Sequence, residues 1–453
     1  MRCLLTYILA WAAIVSAMAA DFMPREIRAT WMTTYGGLDW PKVGTDQVAD
    51  FRNQLDRLQA CGVNTVIFQT RVRATVLYPS KYEPWDDCLT GRVGQAPNYD
   101  PLKMAVEECH KRGMECHAWV VCFPVGKKRQ NINARLAPLT QKCGEEWIMD
   151  PALPETADYI ADICEEIVQN YDVDGIQLDY IRYPERSIPF RMSGTAQQRR
   201  DNVTRVVKTI HDRVKAVRPW VKLSCSPVGK YADLPRQSSR GWNARDAVFQ
   251  DAQKWLADDL MDWLAPMMYF DGQNFYPFLA DWAAYRSGKP VVAGLGIYFL
   301  SPAEGRWNLG QIKRQMHVVR QFDMGGHAFF RTKFLLDNIK GLYDFVKEFN
   351  REPALFPAMT WADATPPTPP ANFKHTRKDY TVTFSWDAVK DDTPVRYNLY
   401  RLNDGGKAKV LAFNLRQTSF SFSPYLPALL HGTFLLTALD AYGNESEATQ
   451  LNL

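Results

Sequence analysis

Residues 154–184 read PETADYIADICEEIVQNYDVDGIQLDYIRYP and hold one whole unit of the fold. The first half spaces Ile160, Ile163, Cys164 and Ile167 three and four apart, which predicts an amphipathic helix. In the second half Val173, Ile176 and Leu178 make a short strand that runs into a polar, aromatic stretch at Asp179. Working outward, the same pairing of strand and helix recurs from Ile27 to Asn350. The other strand-like runs are IRATWMTT, VNTVIFQT, MECHAWVV, VKLSCSPV, MDWLAPMMYF, PVVAGLGIYF and GGHAFFRT. Helical runs between them include TDQVADFRNQLDRLQACG, QQRRDNVTRVVKTIHDRVKAVRP and LGQIKRQMHVVRQFDMGG, several closing on Gly or Pro. Strict alternation argues for an α/β architecture, a parallel sheet clothed in helices. With eight units, closure into a (β/α)8 TIM barrel is favoured over an open sheet. No GxGxxG follows the first strand, which removes the main sign of dinucleotide binding.

Three connections after strands are long: Arg71 to Asp100, Cys122 to Asp150 and Ile181 to Ala196. In a barrel these loops stand on the face that carries active sites, and loops of such length are usually functional. They are rich in Pro, Tyr, Trp and Arg, suited to the walls of a groove.

The barrel accounts for residues 21–352. Before it, MRCLLTYILAWAAIVSAMAA has one Arg, an apolar run from Leu4 to Val15 and small residues at Ala17 and Ala19. This predicts a secretory signal peptide over residues 1–20, hence an exported chain of the periplasm, envelope or extracellular space. No later stretch is long and apolar enough to predict a membrane span. After the barrel, PALFPAMTWADATPPTPPANF opens at Pro353 and predicts a stiff Pro-rich linker over residues 353–370. From 371 to 453 the pattern turns to period two in YTVTFSW, RYNLYRL, TSFSFS and TFLLTALDAYGNES. This all-β module resembles a fibronectin type III sandwich, with Trp386 in its second strand and a closing ALDAYGNES turn.

The chain has 14 Trp and 13% aromatic residues, a generous share that suits the apolar stacking platforms of sugar clefts as well as a large core. Net charge is +4 without a basic block, so nucleic acid is not an expected partner. Export permits disulfides. Cys61, Cys109, Cys116, Cys164 and Cys225 fall on helices or strands and are expected as buried free thiols. Cys88, Cys122 and Cys143 lie in loops and are the expected disulfide partners, in a pattern the spacing leaves open. Seven His without HExxH, and no CxxC pair, predict neither a metal site nor a cofactor.

Asp179 stands where its strand meets the loop, the place of catalytic carboxylates in barrels. The competing reading is a structural ion pair with Arg182 or another loop arginine. Asp174, at the other end of the strand, is expected to be structural. PREIRATWMTT, IFQTRVRATVLYPSKYEPW, HAWVVCFP, VDGIQLDYIRYP and WLAPMMYF together resemble the glycosyl hydrolase-like 10 domain family of bacteria over Pro24 to Asn350. The resemblance implies an exported glycosidase, and some members of that family cleave peptidoglycan glycan strands stripped of stem peptides. In family-18 chitinases a DGxDxDxE strand ends on the acid; aligned on Asp174–Gly175, this chain has Ile181 there, which disfavours their mechanism.

Glycoside hydrolysis ordinarily uses two carboxyls, an acid and a nucleophile or base. For the partner of Asp179 the sequence offers Glu83, Asp271, Glu185 and Glu304, with Asp271 and Glu83 the most attractive. Trp31, Gln69, Arg71, Trp85, His117, Trp119, Arg182, Tyr183 and Tyr269 are expected to bind substrate, with Arg28 and Ser226 towards strand tops. His117 reads equally as a satisfied core histidine, and Arg71 and Arg182 as partners of Asp179. Trp40, Trp85 and Trp307 are candidate sugar platforms. Ser226 lacks a GxSxG elbow, so serine hydrolysis is not expected. The leading expectation is a glycoside hydrolase acting on peptidoglycan strands or another polysaccharide; the alternative is a non-catalytic glycan-binding barrel.

Overall fold

Short strands that are buried over their whole length need cover on both sides, and a closed parallel barrel inside a ring of helices supplies it. The computed structural model describes residues 22–127, 132–185, 189–237, 242–403, 405–423 and 431–453, so the expected signal peptide lies outside the described residues. The strands are β1 (Ile27–Met32), β2 (Thr65–Arg71), β3 (Glu115–Val121), β4 (Gly175–Asp179), β5 (Lys222–Cys225), β6 (Trp263–Leu264), β7 (Ala293–Leu295) and β8 (Gly326–Phe329). They form one parallel sheet in the order β7-β8-β1-β2-β3-β4-β5-β6. Val292 N–H donates to the Leu264 carbonyl at 2.8 Å and Gly294 N–H to that of Pro266 at 2.9 Å, joining β6 to β7 and closing the ring.

Helices pack outside: α1 (Gln47–Ala60), α2 (Pro101–His110), α3 (Pro154–Asn170) and α4 (Ala196–Val217) follow the first four strands. In α3 the buried positions include Ile160, Ile163, Cys164 and Ile167, the stripe that the spacing predicts. Thr195 and Gln198 form a capping box that starts α4, and Asp46 caps α1 by accepting from Ala49 N–H at 3.0 Å. The loop after β3 folds into a small antiparallel sheet of Pro124–Gly126, Thr140–Cys143 and Glu146–Met149.

The chain divides into two compact units, Ile27–Arg351 and Glu352–Leu453, the latter with the segment up to Glu26. The second unit has seven antiparallel strands among its described residues: β9 (Lys374–Lys378), β10 (Thr381–Ser385), β11 (Arg396–Leu402), β12 (Ala408–Leu415), β13 (Ser419–Phe422), β14 (Thr433–Leu439) and β15 (Thr449–Asn452). They make one sheet ordered β9-β10-β13 and another ordered β12-β11-β14-β15, around Phe384, Trp386, Leu399, Phe434 and Leu436. The stretch expected as a linker does not stand free at its start. Leu355 and Met23 are buried against Tyr400, Leu435 and Leu439, and Met359 is buried as well. Apolar residues in the Pro-rich run outweigh its stiffness. Glu445 ties the same region together, accepting from Arg25, Asn398, Tyr400 and Thr437.

All eight cysteines among the described residues are free and buried. The expected disulfide role of Cys88, Cys122 and Cys143 is therefore corrected. Each packs as a small apolar side chain.

Candidate active site

Side chains alternate along a strand, so one parity of each barrel strand shares a face. In β3 that face carries Glu115, His117, Trp119 and Val121; β4 places Gly175, Gln177 and Asp179 beside them in register, with Val121 opposite Asp179. At the upper, C-terminal end these residues help to line a cavity of about 300 Å³. Trp31 from β1, Gln69 from β2, Trp119 and Val121 from β3, Asp179 and Tyr180 at the end of β4, Ser226 beyond β5, Met267 and Tyr269 beyond β6 and Phe330 beyond β8 all contribute. Active sites of barrel enzymes occupy this end. A larger hollow of about 670 Å³ lies outside the barrel, between α2 and α3. Of its four acids, Asp100 and Glu166 already accept from Tyr171 and Ser80.

Asp179 is 6% exposed. Its Oδ2 accepts from the Trp119 indole at 3.1 Å and its Oδ1 from the Tyr180 backbone N–H at 2.8 Å. Burial pushes the carboxyl above its usual range; the Arg182 charge and the hydrogen bonds from Tyr180, Trp119 and Ser226 only partly offset this. Gln177 donates to the Ser226 hydroxyl and so orients it. Tyr180 takes a left-handed backbone with φ of 49°. For a bulky residue this is strain, of the kind stored where structure serves a site. Tyr269 stacks on Phe330 with ring centres 5.3 Å apart, and burial followed by the Asp179 charge holds its phenol well above the usual range.

Trp31, Gln69, Trp119, Tyr269 and Asp179 thus come together as the sequence suggests. Arg182 is buried just behind, its guanidinium 4.6 Å over the Tyr180 ring. Other candidates do not line the cavity. Glu83 is fully buried in a two-point pair with Arg71, at 2.6 and 2.8 Å, and accepts from Tyr159 at 3.2 Å. A register shift between Gln69 and Arg71 pairs Arg71 with Val120, whose side chain has the outward parity. That bulge aims Arg71 away from the cleft. Burial pushes the guanidinium below its usual range, and Glu83 more than offsets this, so the group stands above it.

His117 pairs with Gly175, four residues below Asp179, or about 13 Å at ~3.3 Å per residue. There its Nε2 meets Glu115 at 2.9 Å, and Glu115 also takes Lys222 at 2.9 Å. It belongs to the barrel core. Tyr183 is buried edge-on to Phe249 and receives Asn202 at 3.2 Å. Arg28 donates to the Asn350 carbonyl, and Trp40 is buried with its indole on the Gln47 carbonyl. Trp85 packs half-buried on the core, as does Trp307, which also contacts Phe299. Asp271 is engaged by Gln311, and Glu304 is exposed on its loop. Glu185 lies 3.6 Å from Arg182.

The cavity also has members that the sequence reading missed: Thr33, Tyr35, Leu38, Val72, Arg73, Val121, Pro124, Tyr180, Met267 and Phe330. Arg73 lies 4.8 Å over the Tyr35 ring and 2.6 Å from Glu146. Tyr35, Tyr180 and Phe330 carry a usable signal, since each is an aromatic within three residues of a strand's C-terminal end. Arg73 carries none, because only the bulge exchanges it with Arg71.

The model for the family described as glycosyl hydrolase-like 10 matches residues 26–197 and 189–298. The glycosyl hydrolase YngK of Bacillus subtilis (strain 168) is 30% identical over 490 residues, covering 96% of this chain and 95% of that one. The glycosyl hydrolase DigH of Escherichia coli (strain K12) is 31% identical over 306 residues, 57% of this chain and 70% of its own. Among solved structures, an endo-1,4-beta-mannanase from Rhizomucor miehei is 11% identical over 73% of this chain and 99% of its own, with a TM-score of 0.49. The chain is therefore a glycoside hydrolase and belongs to the glycosyl hydrolase-like 10 family.

Proposed function

We propose that this hydrolase is exported and cleaves glycosidic bonds in polysaccharides of the bacterial envelope, peptidoglycan glycan strands foremost, with Asp179 as the carboxyl that acts on the bond. One observation carries the reading: Asp179 is the sole acid among the described residues lining the cavity, and burial keeps its proton on to higher pH than a solvated aspartate. The barrel segments outside the description, residues 128–131, 186–188 and 238–241, contain no Asp or Glu. A carboxyl of this kind can protonate a leaving glycosidic oxygen. The exposed Tyr35 and Tyr180 and the half-buried Tyr269 offer apolar ring faces for sugars. The second carboxyl role would fall to an acid at the rim, Glu185 beside Arg182 or Glu146 beside Arg73.

Export is supported by the leader-like first twenty residues, and peptidoglycan by the sequence resemblance. The C-terminal unit is read as fibronectin type III-like on its three- and four-stranded sheets and the buried Trp386. The test is release of reducing ends from denuded peptidoglycan and a panel of polysaccharides by wild type and Asp179→Asn. Loss of roughly 10²–10⁴-fold in kcat is expected. Full activity of the Asn variant removes Asp179 from the chemistry. A wild type that retains glycan without cutting it has a binding role instead.

A further inference from the structure

Among the tryptophans of the described residues, Trp242 is the one that keeps a largely open indole, 42% exposed. The platforms suggested by sequence, Trp40, Trp85 and Trp307, are buried or half-buried. Trp242 follows β5 and stands edge-on to Phe270, with ring centres 6.3 Å apart. Phe270 is the residue after Tyr269, a cavity residue, and Trp242 lies in the loop after β5, so the pair stands on the β5–β6 side of the barrel's C-terminal end, outside the cavity lining itself.

The pair is firmly based. Asn243 is buried, caps the turn at Ala244–Ala247 by accepting from Asp246 N–H at 2.7 Å, and donates to Asp233 at 3.2 Å. Ala244 N–H donates to the Lys230 carbonyl at 2.8 Å, and the Lys230 ammonium lies 5.3 Å from the Phe270 ring centre. Trp242 itself holds φ of 36°, a strained backbone for so large a residue. An isolated surface aromatic needs no explanation. An exposed indole at the start of a capped turn, paired with a second ring that carries the Lys230 ammonium, has the mixed composition of a sugar site.

We infer that Trp242 and Phe270 form an outer subsite that stacks a sugar ring of the same glycan chain whose bond lies at Asp179. The inference rests on the glycan-cleaving reading of the cleft. It extends the enzyme's grip to a sugar ring beyond the 300 Å³ cavity.

The experiment compares wild type, Trp242→Ala and Trp242→Phe on denuded peptidoglycan strands fractionated by length. For the Ala variant the loss in kcat/KM grows with strand length, to about tenfold on the longest, or ~1.4 kcal/mol. The Phe variant recovers most of it, which a role in folding alone would not give. A loss equal at all lengths, or none at any length, overturns the subsite. The same substitutions in the Asp179→Asn background are read by retardation in native gels containing the glycan. Weaker retardation with Trp242→Ala supports the subsite even if no length is cleaved. Unchanged retardation overturns it even if cleavage at Asp179 stands.

Discussion

Replacing Glu83 by Gln separates Glu83 from Asp179, two of the acids that sequence alone proposes for chemistry. The substitution keeps shape and removes charge. It leaves the Arg71 guanidinium, which is fully buried, facing a neutral amide and the carbonyls of Val121 and Cys122. Breaking a buried pair from one side costs about 3–5 kcal/mol, because the remaining charge stays out of water. Unfolding entropy near 2.1 cal/mol/K per residue gives about 0.7 kcal/mol per degree for a barrel of roughly 320 residues. The melting temperature of the barrel should therefore fall by about 4–7 °C. Turnover per folded molecule should stay within severalfold of wild type, since Glu83 does not line the cavity. Differential scanning calorimetry gives the first quantity, and reducing-end release at a temperature where both proteins are folded gives the second. An unchanged melting temperature together with a hundredfold loss of turnover would refute the reasoning and return Glu83 to the chemistry.

Three further outcomes follow from the same geometry. The folded pKa of Asp179 is raised, so its contribution to stability is present below the unfolded value of about 3.9 and is lost as pH rises through the folded one. Asp179→Asn should accordingly melt higher than wild type at neutral pH, with the gap closing on acidification, as followed by calorimetry across pH. Trp119→Phe deletes a hydrogen bond that lowers the Asp179 pKa, so the alkaline limb of the kcat–pH profile should move to higher pH; a shift the other way contradicts proton donation by Asp179. A Cβ at Gly175 would sit 2.4 Å from His117 Nδ1 and 2.8 Å from the Lys222 carbonyl, so Gly175→Ala should cost at least about 1–3 kcal/mol in denaturant unfolding.

Local sequence determined most of what is periodic in this protein. The apolar stripe of α3, the continuous apolar run of each barrel strand and the period-two pattern after residue 371 each reflect which face a residue must bury, and that is written in spacing. Asp179 was legible for the same reason, because it closes a strand whose end is marked by the change from Leu178 to Tyr180, Arg182 and Tyr183. The height and direction of side chains were not. His117 shares its face with Trp119 and Val121, and only the register with β4 shows it two layers below the site. Arg71 and Arg73 stand alike in TRVR, and a one-residue bulge decides that the first meets Glu83 and the second lines the cleft. Cys88, Cys122 and Cys143 lie in loops by sequence, yet all three are buried thiols because those loops fold back onto the barrel. Register, bulges and loop packing arise from contacts between residues far apart in the chain, so tertiary structure alone could show that, among the described residues, Asp179 is the one acid lining an aromatic cleft.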